Sequence, residues 1–263
     1  MIVEQIWTAN AWRNFNYLVA CEETGDALAI DPLDHQKCLG LARDRGWTVR
    51  QVLNTHEHGD HTGGNAAMVA ATGAQVLAHV NAAPAIREMT RGLQAGDVIT
   101  VGRTVELECL DTPGHTMAHV CLLSRTQEPA LFSGDTLFNA GAGNCHNGGH
   151  PRQLYQTFVG QLAKLPETTR IYPGHDYLAR NLAFTLDREP TNDPARGLIE
   201  EAERMDPAHA VVTTLGLEKE INVFFRLQNA EVIRQLRAKL PDLPANPTAE
   251  DVFLALRELR NKW

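Results

Sequence analysis

Apolar and polar positions alternate through Phe15-Asn16-Tyr17-Leu18-Val19-Ala20-Cys21, and a polar turn over residues 22–26 leads to a second such run over residues 27–31. This two-residue period predicts a pair of strands joined as a hairpin. Residues 34–45 predict a helix stopped by Gly46, and the β-branched run over residues 49–55 predicts the next strand. A small, Ala-rich stretch over residues 64–73 follows, with Gly73 as its stop. Further strands are predicted over residues 75–79, 105–110, 119–124 and 130–133. Such a mixture belongs to the α+β class and suits two sheets packed face to face with helices outside.

The pattern changes after Tyr172-Pro173-Gly174-His175, and from there the chain reads as helices. Asn192-Asp193-Pro194 is a helix start, with Pro near the first turn. Residues 230–240 predict a second helix, and Thr248-Ala249-Glu250-Asp251 resembles a capping box that opens a third. In that last helix Val252, Ala255, Leu256, Leu259 and Trp263 follow the spacing of a buried face. Neither an internal repeat nor a low-complexity tract is present. A β-rich part over residues 1–175 carrying a helical part over residues 176–263 is therefore expected.

Composition narrows the class. The chain has 263 residues, 43% of them apolar and 21% charged, as in an ordinary soluble enzyme. Its formal net charge of −8 argues against broad binding to nucleic acid or to an anionic membrane. No apolar run approaches the roughly 18–20 residues of a membrane span. Met1-Ile2-Val3-Glu4-Gln5-Ile6-Trp7 lacks the basic start and long apolar stretch of a signal peptide. The five cysteines are scattered, with no CxxC pair, so reduced thiols and a cytoplasmic location are expected.

The chemistry concentrates in Thr55-His56-Glu57-His58-Gly59-Asp60-His61, directly after a predicted strand. His and Asp are ligands of zinc, iron and manganese, and alternation at a strand end can aim His56 and His58 the same way. A lone His would more often be a satisfied surface or core residue. Four donors at this spacing differ, because burying them without a shared cation would be costly. Similar pieces recur at later strand ends: Thr112-Pro113-Gly114-His115, Ser133-Gly134-Asp135 and Tyr172-Pro173-Gly174-His175. Glycine beside each ligand lets the backbone turn sharply and come close to a metal. His119 is expected either to hold a ligand in place or to be satisfied in the core. His35, His79 and His209 have no neighbouring donors and are expected at the surface or in turns.

The segments THEHGDHTGGN, TPGHT, FSGDTLF and YPGHDY resemble those of the metallo-β-lactamase-fold hydrolases and, within them, glyoxalase II, the hydroxyacylglutathione hydrolases. The helical tail is similar as well. The resemblance implies an αββα sandwich over residues 1–175 and an all-helical substrate-binding domain over residues 176–263. It also implies two divalent metal ions, zinc foremost, although an all-nitrogen-and-oxygen ligand set also admits iron and manganese. His56, His58 and His115 would hold one ion, Asp60, His61 and His175 the other, and Asp135 would bridge. The implied reaction is hydrolysis of S-2-hydroxyacylglutathiones, such as the S-lactoylglutathione of methylglyoxal detoxification. A hydroxide shared by the cations would be the nucleophile, with Asp60 and Asp135 as the catalytic carboxylates. A thiol, with a pKa of about 8.5, leaves as thiolate without a strong general acid.

On the substrate side, Tyr177 occupies the Tyr position of Pro-Gly-His-x-Tyr. Arg257 and Arg260 share a helix face, expected to lie away from the apolar stripe and to bind a carboxylate. The family pattern has Lys at the second of these positions, so Arg260 is a mild departure. After FSGDTLF the departure is larger: Asn144 stands where the family has a basic residue, and His146 where it has Tyr. Both are expected to line the substrate, with a weaker KM for glutathione thioesters as the consequence. Cys145 and His146, adjacent in an extended loop, point apart and make no nucleophilic pair. The expected partner is a small-molecule thioester, with no nucleic acid and no membrane; the oligomeric state is left open. Rival readings are a persulfide dioxygenase with one iron, a family that lacks the helical tail, and a hydrolase of another acyl-thiol or a lactone.

Overall fold

In the computed structural model, which describes residues 1–126 and 128–263, the chain lays down its first sheet before its second. Strands β1 (Ile2–Trp7), β2 (Phe15–Ala20) and β3 (Asp26–Ile30) form an antiparallel meander. Helix α1 (His35–Asp44) crosses to β4 (Thr48–Leu53), parallel to β3. A short helix α2 (Gly59–Thr62) and α3 (Asn65–Thr72) lead to β5 (Gln75–His79), and β6 (Met89–Leu93) closes the sheet, both strands running parallel to their predecessors. The second sheet takes β7 (Val98–Val101), β8 (Val105–Asp111), β9 (Val120–Ser124) and β10 (Ala130–Gly134) as an antiparallel run. A small ribbon, β11 (Leu137–Phe138) with β12 (Gly141–Ala142), and helix α4 (Pro151–Gly160) precede β13 (Arg170–Pro173), which returns parallel to β10. The rest is helical: α5 (Leu178–Arg188), α6 (Asp193–Ala202), α7 (Leu215–Ile221), α8 (Ala230–Lys239) and α9 (Ala249–Asn261).

Strand alternation explains the layers. Tyr17, Val19, Leu28, Ile30 and Leu53 point inward and meet Leu107, Leu122, Phe132 and Tyr172 of the facing sheet. Leu18, Ala20, Ala27, Ala29 and Val52 point outward, under Cys38 and Ala42 of α1 and Met68 of α3. On the far side, Leu123, Leu131 and Ile171 are covered by Leu154 and Phe158 of α4 together with Phe184, Leu236 and Phe253 of the later helices. The expected four-layer αββα sandwich is therefore present, with a C-terminal helical region. That region shares a continuous core with the second sheet, and Ile171 N–H donates to Thr213 O at the β13 edge.

The sequence signals hold at Asn192, whose side chain caps α6, and at Thr248, which forms a capping box with Asp251. They miss β1, β6, β7, the β11–β12 ribbon and helices α2, α4, α5 and α7. Strand β4 also ends two residues early, because Thr55 N–H leaves the ladder to donate to Asp31 Oδ1. The last helix needs a correction. Its buried face is wider than the predicted stripe and takes in Phe253 and Arg257, while Trp263 lies beyond α9 and is 40% exposed. The physical cause is that α9 packs against both α4 and α8 rather than against one neighbour.

Candidate metal centre

Four strand ends deliver the donors. His56, His58, Asp60 and His61 follow β4, His115 follows β8, Asp135 follows β10 and His175 follows β13. Gly134 takes a left-handed backbone (φ 47°) that turns Asp135 off its strand, a conformation glycine adopts without strain. At Gly174 a Cβ would sit 2.3 Å from Asp135 Oδ1, so glycine leaves the carboxylate its room. The donors fall into two trios, His56/His58/His115 and Asp60/His61/His175, with Asp135 reaching both. In the first, His58 Nδ1 lies 3.0 Å from His56 Nε2 and 3.1 Å from His115 Nε2. In the second, His61 and His175 Nε2 are 3.3 Å apart, and Asp60 Oδ2 is 3.4 Å from His175 Nε2. Asp135 places Oδ1 3.4 Å from His61 and Oδ2 3.2 Å from His175 and 3.5 Å from His115.

The outer nitrogens decide what the inner ones can do. His61 Nδ1 donates to Asp31 Oδ2 (2.9 Å), His115 Nδ1 to Asn144 O (2.7 Å), His175 Nδ1 to Trp12 O (2.7 Å) and His58 Nε2 to Asn147 O (3.1 Å). Thr55 spends its hydroxyl proton on Asp31, so it accepts from His56 Nδ1 at 3.1 Å. Each ring thereby turns a bare lone pair toward the centre, where lone pairs at about 3 Å repel unless a cation lies among them. Asp135 Oδ1 is buried and has no hydrogen-bond partner among the described residues. An orphaned carboxylate oxygen between imidazoles is the donor a divalent cation completes, so the residues fit a metal.

Protonation agrees. Burial pushes His115 down to about 4, and burial followed by the neighbouring His61 pushes His56 well below the usual range, so both rings are neutral, the form a metal requires. Burial alone would raise Asp135, but His175, His61 and His115 outweigh it and hold it well below the ordinary carboxylate range. His61 is the exception: burial pulls it down, yet Asp135 and Asp31 outweigh it and lift that ring to about 9, so it must give up a proton to take an ion. His119 is buried and holds Asp135 from behind: its Nε2 accepts from Asp135 N–H at 3.2 Å.

Beside the metal residues opens a cleft of about 230 Å³. It brings together all five predicted substrate residues: Tyr177, Asn144, His146, Arg257 and Arg260. Tyr177 stacks on His175 (5.0 Å between ring centroids) and donates its hydroxyl to Trp12 O. Arg257 departs from expectation. It is 4% exposed rather than on an outer face, and its Nη1 donates to Ala142 O (2.6 Å) and Gly143 O (3.0 Å). Those carbonyls lie just before Asn144, whose own carbonyl orients His115.

Sequence reading missed Asp31, Asn14, the Trp12 carbonyl and Arg180. Asp31 ends a predicted strand with no neighbouring motif, and only folding brings it to His61. Asn14 is fully buried and its Nδ2 donates to both Asp60 O and Asp60 Oδ2 at 3.1 Å. Arg180 had a legible signal, lying three residues after Tyr177 and so one helical turn away.

The comparisons with known proteins follow the same division. The profile described as "Metallo-beta-lactamase superfamily" matches residues 16–175, and that described as "Hydroxyacylglutathione hydrolase C-terminus" matches residues 176–263. The chain is 64% identical to a hydroxyacylglutathione hydrolase of Polaromonas sp. and 62% identical to one of Nitrosococcus oceani, in each case over the whole of both chains. An Arabidopsis thaliana protein named hydroxyacylglutathione hydrolase cytoplasmic is 33% identical over 95% of this chain and 93% of its own. Among solved structures, ETHE1 from Myxococcus xanthus superposes with a TM-score of 0.69 at 26% identity, covering 98% of this chain and 99% of its own. TTHA1623, solved in a di-iron-bound form, gives 0.61 at 26% identity, covering 84% and 98%.

Proposed function

This chain belongs to the hydroxyacylglutathione hydrolase family of the metallo-β-lactamase superfamily and is a thioester hydrolase; we propose that its substrates are S-2-hydroxyacylglutathiones such as S-lactoylglutathione. The observation that carries the site assignment is the buried, unpartnered Asp135 Oδ1 between two trios of metal donors, beside a cleft lined with arginines. In this reading His56, His58 and His115 hold one divalent ion, Asp60, His61 and His175 the other, and Asp135 both. Zinc suits the nitrogen-rich first trio, and iron or manganese suits the more carboxylate-rich second. Residues 1–175 carry the chemistry and residues 176–263 contribute most of the substrate cleft. A cytoplasmic location accords with the name of the Arabidopsis relative, and among the described residues no helix is long and apolar enough to cross a membrane.

Bound there, divalent cations supply Lewis acidity, which acidifies a water and draws charge from a carbonyl oxygen. The residues do the rest. Asp60, held by Asn14, offers a carboxylate oxygen that can accept the proton of an attacking water. Tyr177 and the arginines bind the thiol carrier, so the thioester carbon lies against the metal residues. Water adds to that carbon, the C–S bond breaks, and the sulfur leaves as thiolate with its electron pair, needing no strong acid. The direct test is metal analysis with an assay across carriers. About two ions per chain and preferred turnover of glutathione thioesters over coenzyme A thioesters and lactones are expected. One iron per chain, with oxygen consumed on a persulfide, would overturn the reading.

Asn14 supports a further expected result. Asn14→Leu keeps the branched outline of the side chain but leaves Asp60 without its side-chain donor. Turnover is expected to fall about ten- to a hundredfold, with faster metal loss to a chelator, as for other residues that orient a ligand. Equal turnover and equal chelator resistance would remove Asn14 from the site.

A further inference from the structure

We propose that Arg180 is a substrate-binding residue that sets specificity for the thiol carrier, supplying from α5 the cationic contact that position 144 lacks. This rests on the glutathione reading above. Although the chain carries a net charge of −8, the lining of the cleft has no Asp, Glu or Lys and three arginines, Arg180, Arg257 and Arg260. None of them is paired with an Asp or Glu side chain among the described residues. Arg257 donates to the Ala142 and Gly143 carbonyls and to Asn261 Oδ1, and Arg260 donates Nε and Nη2 to Asn181 Oδ1. Arg180 donates to an oxygen of Trp263, the last residue of the sequence. Clustered guanidiniums without a side-chain carboxylate among them form a site that a carboxylate ligand suits.

The three differ in what they have left to give. Arg257 is buried and committed to two carbonyls and the Asn261 amide; Arg260 is half-buried on an amide; Arg180 is exposed, and among the described residues Trp263 is the one acceptor for its five N–H donors. Arg180 and Arg260 also feel each other: burial first, then Arg180, lowers Arg260 to about 10. Asn144 brings no positive charge in their place: its carbonyl accepts from His115 and its side-chain oxygen from His146 N–H at 3.1 Å, which leaves only a neutral amide N–H to face the cleft. Glutathione offers two carboxylates, and Arg180 with Arg260 offers two forked guanidiniums at the mouth of the cleft. The charge that the sequence departure at position 144 removes is therefore restored from another element.

The metal-loaded enzyme tests this with S-lactoylglutathione as substrate and S-methylglutathione as an inert probe. Arg180→Ala is expected to raise KM about ten- to a hundredfold, with kcat nearly unchanged and probe affinity lowered to match. Asn144→Lys placed in that background is expected to recover much of the loss, and Arg180→Lys to keep part of it. If wild type hydrolyses the glutathione thioester but Arg180→Ala leaves KM and probe affinity alone, Arg180 is only an anchor for the tail and the inference falls. If wild type does not hydrolyse it, the glutathione reading falls first and takes this one with it. An altered kcat with unchanged probe affinity would also overturn it.

Discussion

Asp135→Ala is expected to strip the protein of most of its metal and to lower turnover by several orders of magnitude. Asp135 faces both trios, with Oδ1 toward His61 and Oδ2 toward His175 and His115, so in the proposed reading one side chain would supply negative charge to both ions. Its loss leaves five imidazoles around the cations with Asp60 as the sole carboxylate among the donors. Asp135→Asn is the sharper variant. It preserves shape and the backbone contact to His119, yet an amide brings no charge to share. Near-equal metal loss in the two variants, measured by elemental analysis after dialysis, would identify charge rather than packing as the cause. A variant that keeps two ions per chain and full turnover would sink the binuclear assignment.

Arg257→Ala is expected to lower kcat as well as raise KM, and to lower the melting temperature. An arginine on an outer face would change KM alone. Here the guanidinium is buried on the Ala142 and Gly143 carbonyls and lies over the Phe224 ring, 5.5 Å from its centroid. Each carbonyl left without a donor costs about 1–3 kcal/mol, and lost packing adds to it. For a chain of this size every 1 kcal/mol moves the melting temperature by roughly 2–4 °C, so a drop of several degrees is expected. Turnover suffers because Gly143 leads directly into Asn144, whose carbonyl fixes the His115 ring. Arg260→Ala, which frees only the Asn181 side chain, should raise KM with little change in kcat or melting temperature. Thermal melts and steady-state kinetics on the two variants separate these roles. Matching behaviour of both, with kcat and melting temperature intact, would return Arg257 to an outer-face role.

The amino-acid sequence by itself determined the donors of the candidate centre, because they sit in short motifs beside Pro-Gly and Gly turns. Chemistry of that kind is written locally: His56, His58, Asp60 and His61 need only one strand end, and each later donor needs one more. Alternation along residues 15–21 and 27–31 likewise determined which face of each strand enters the sandwich, since a pleated strand turns successive side chains to opposite sides. What only the tertiary structure decided are the partners that carry no local signal. Asp31 meets His61 across 30 residues and Trp12 O meets His175 across 163, contacts made by sheet order and invisible to any window of sequence. Arg257 shows the same limit from the other side. Helical spacing correctly paired it with Arg260, but which residues α9 buries depends on how many neighbours surround it, and two packed helices turned an expected surface cation into a buried brace. Arg180 and Asn144 complete the contrast. The lost charge is legible at position 144, whereas its replacement lies on another element and reaches the same cleft only through the fold.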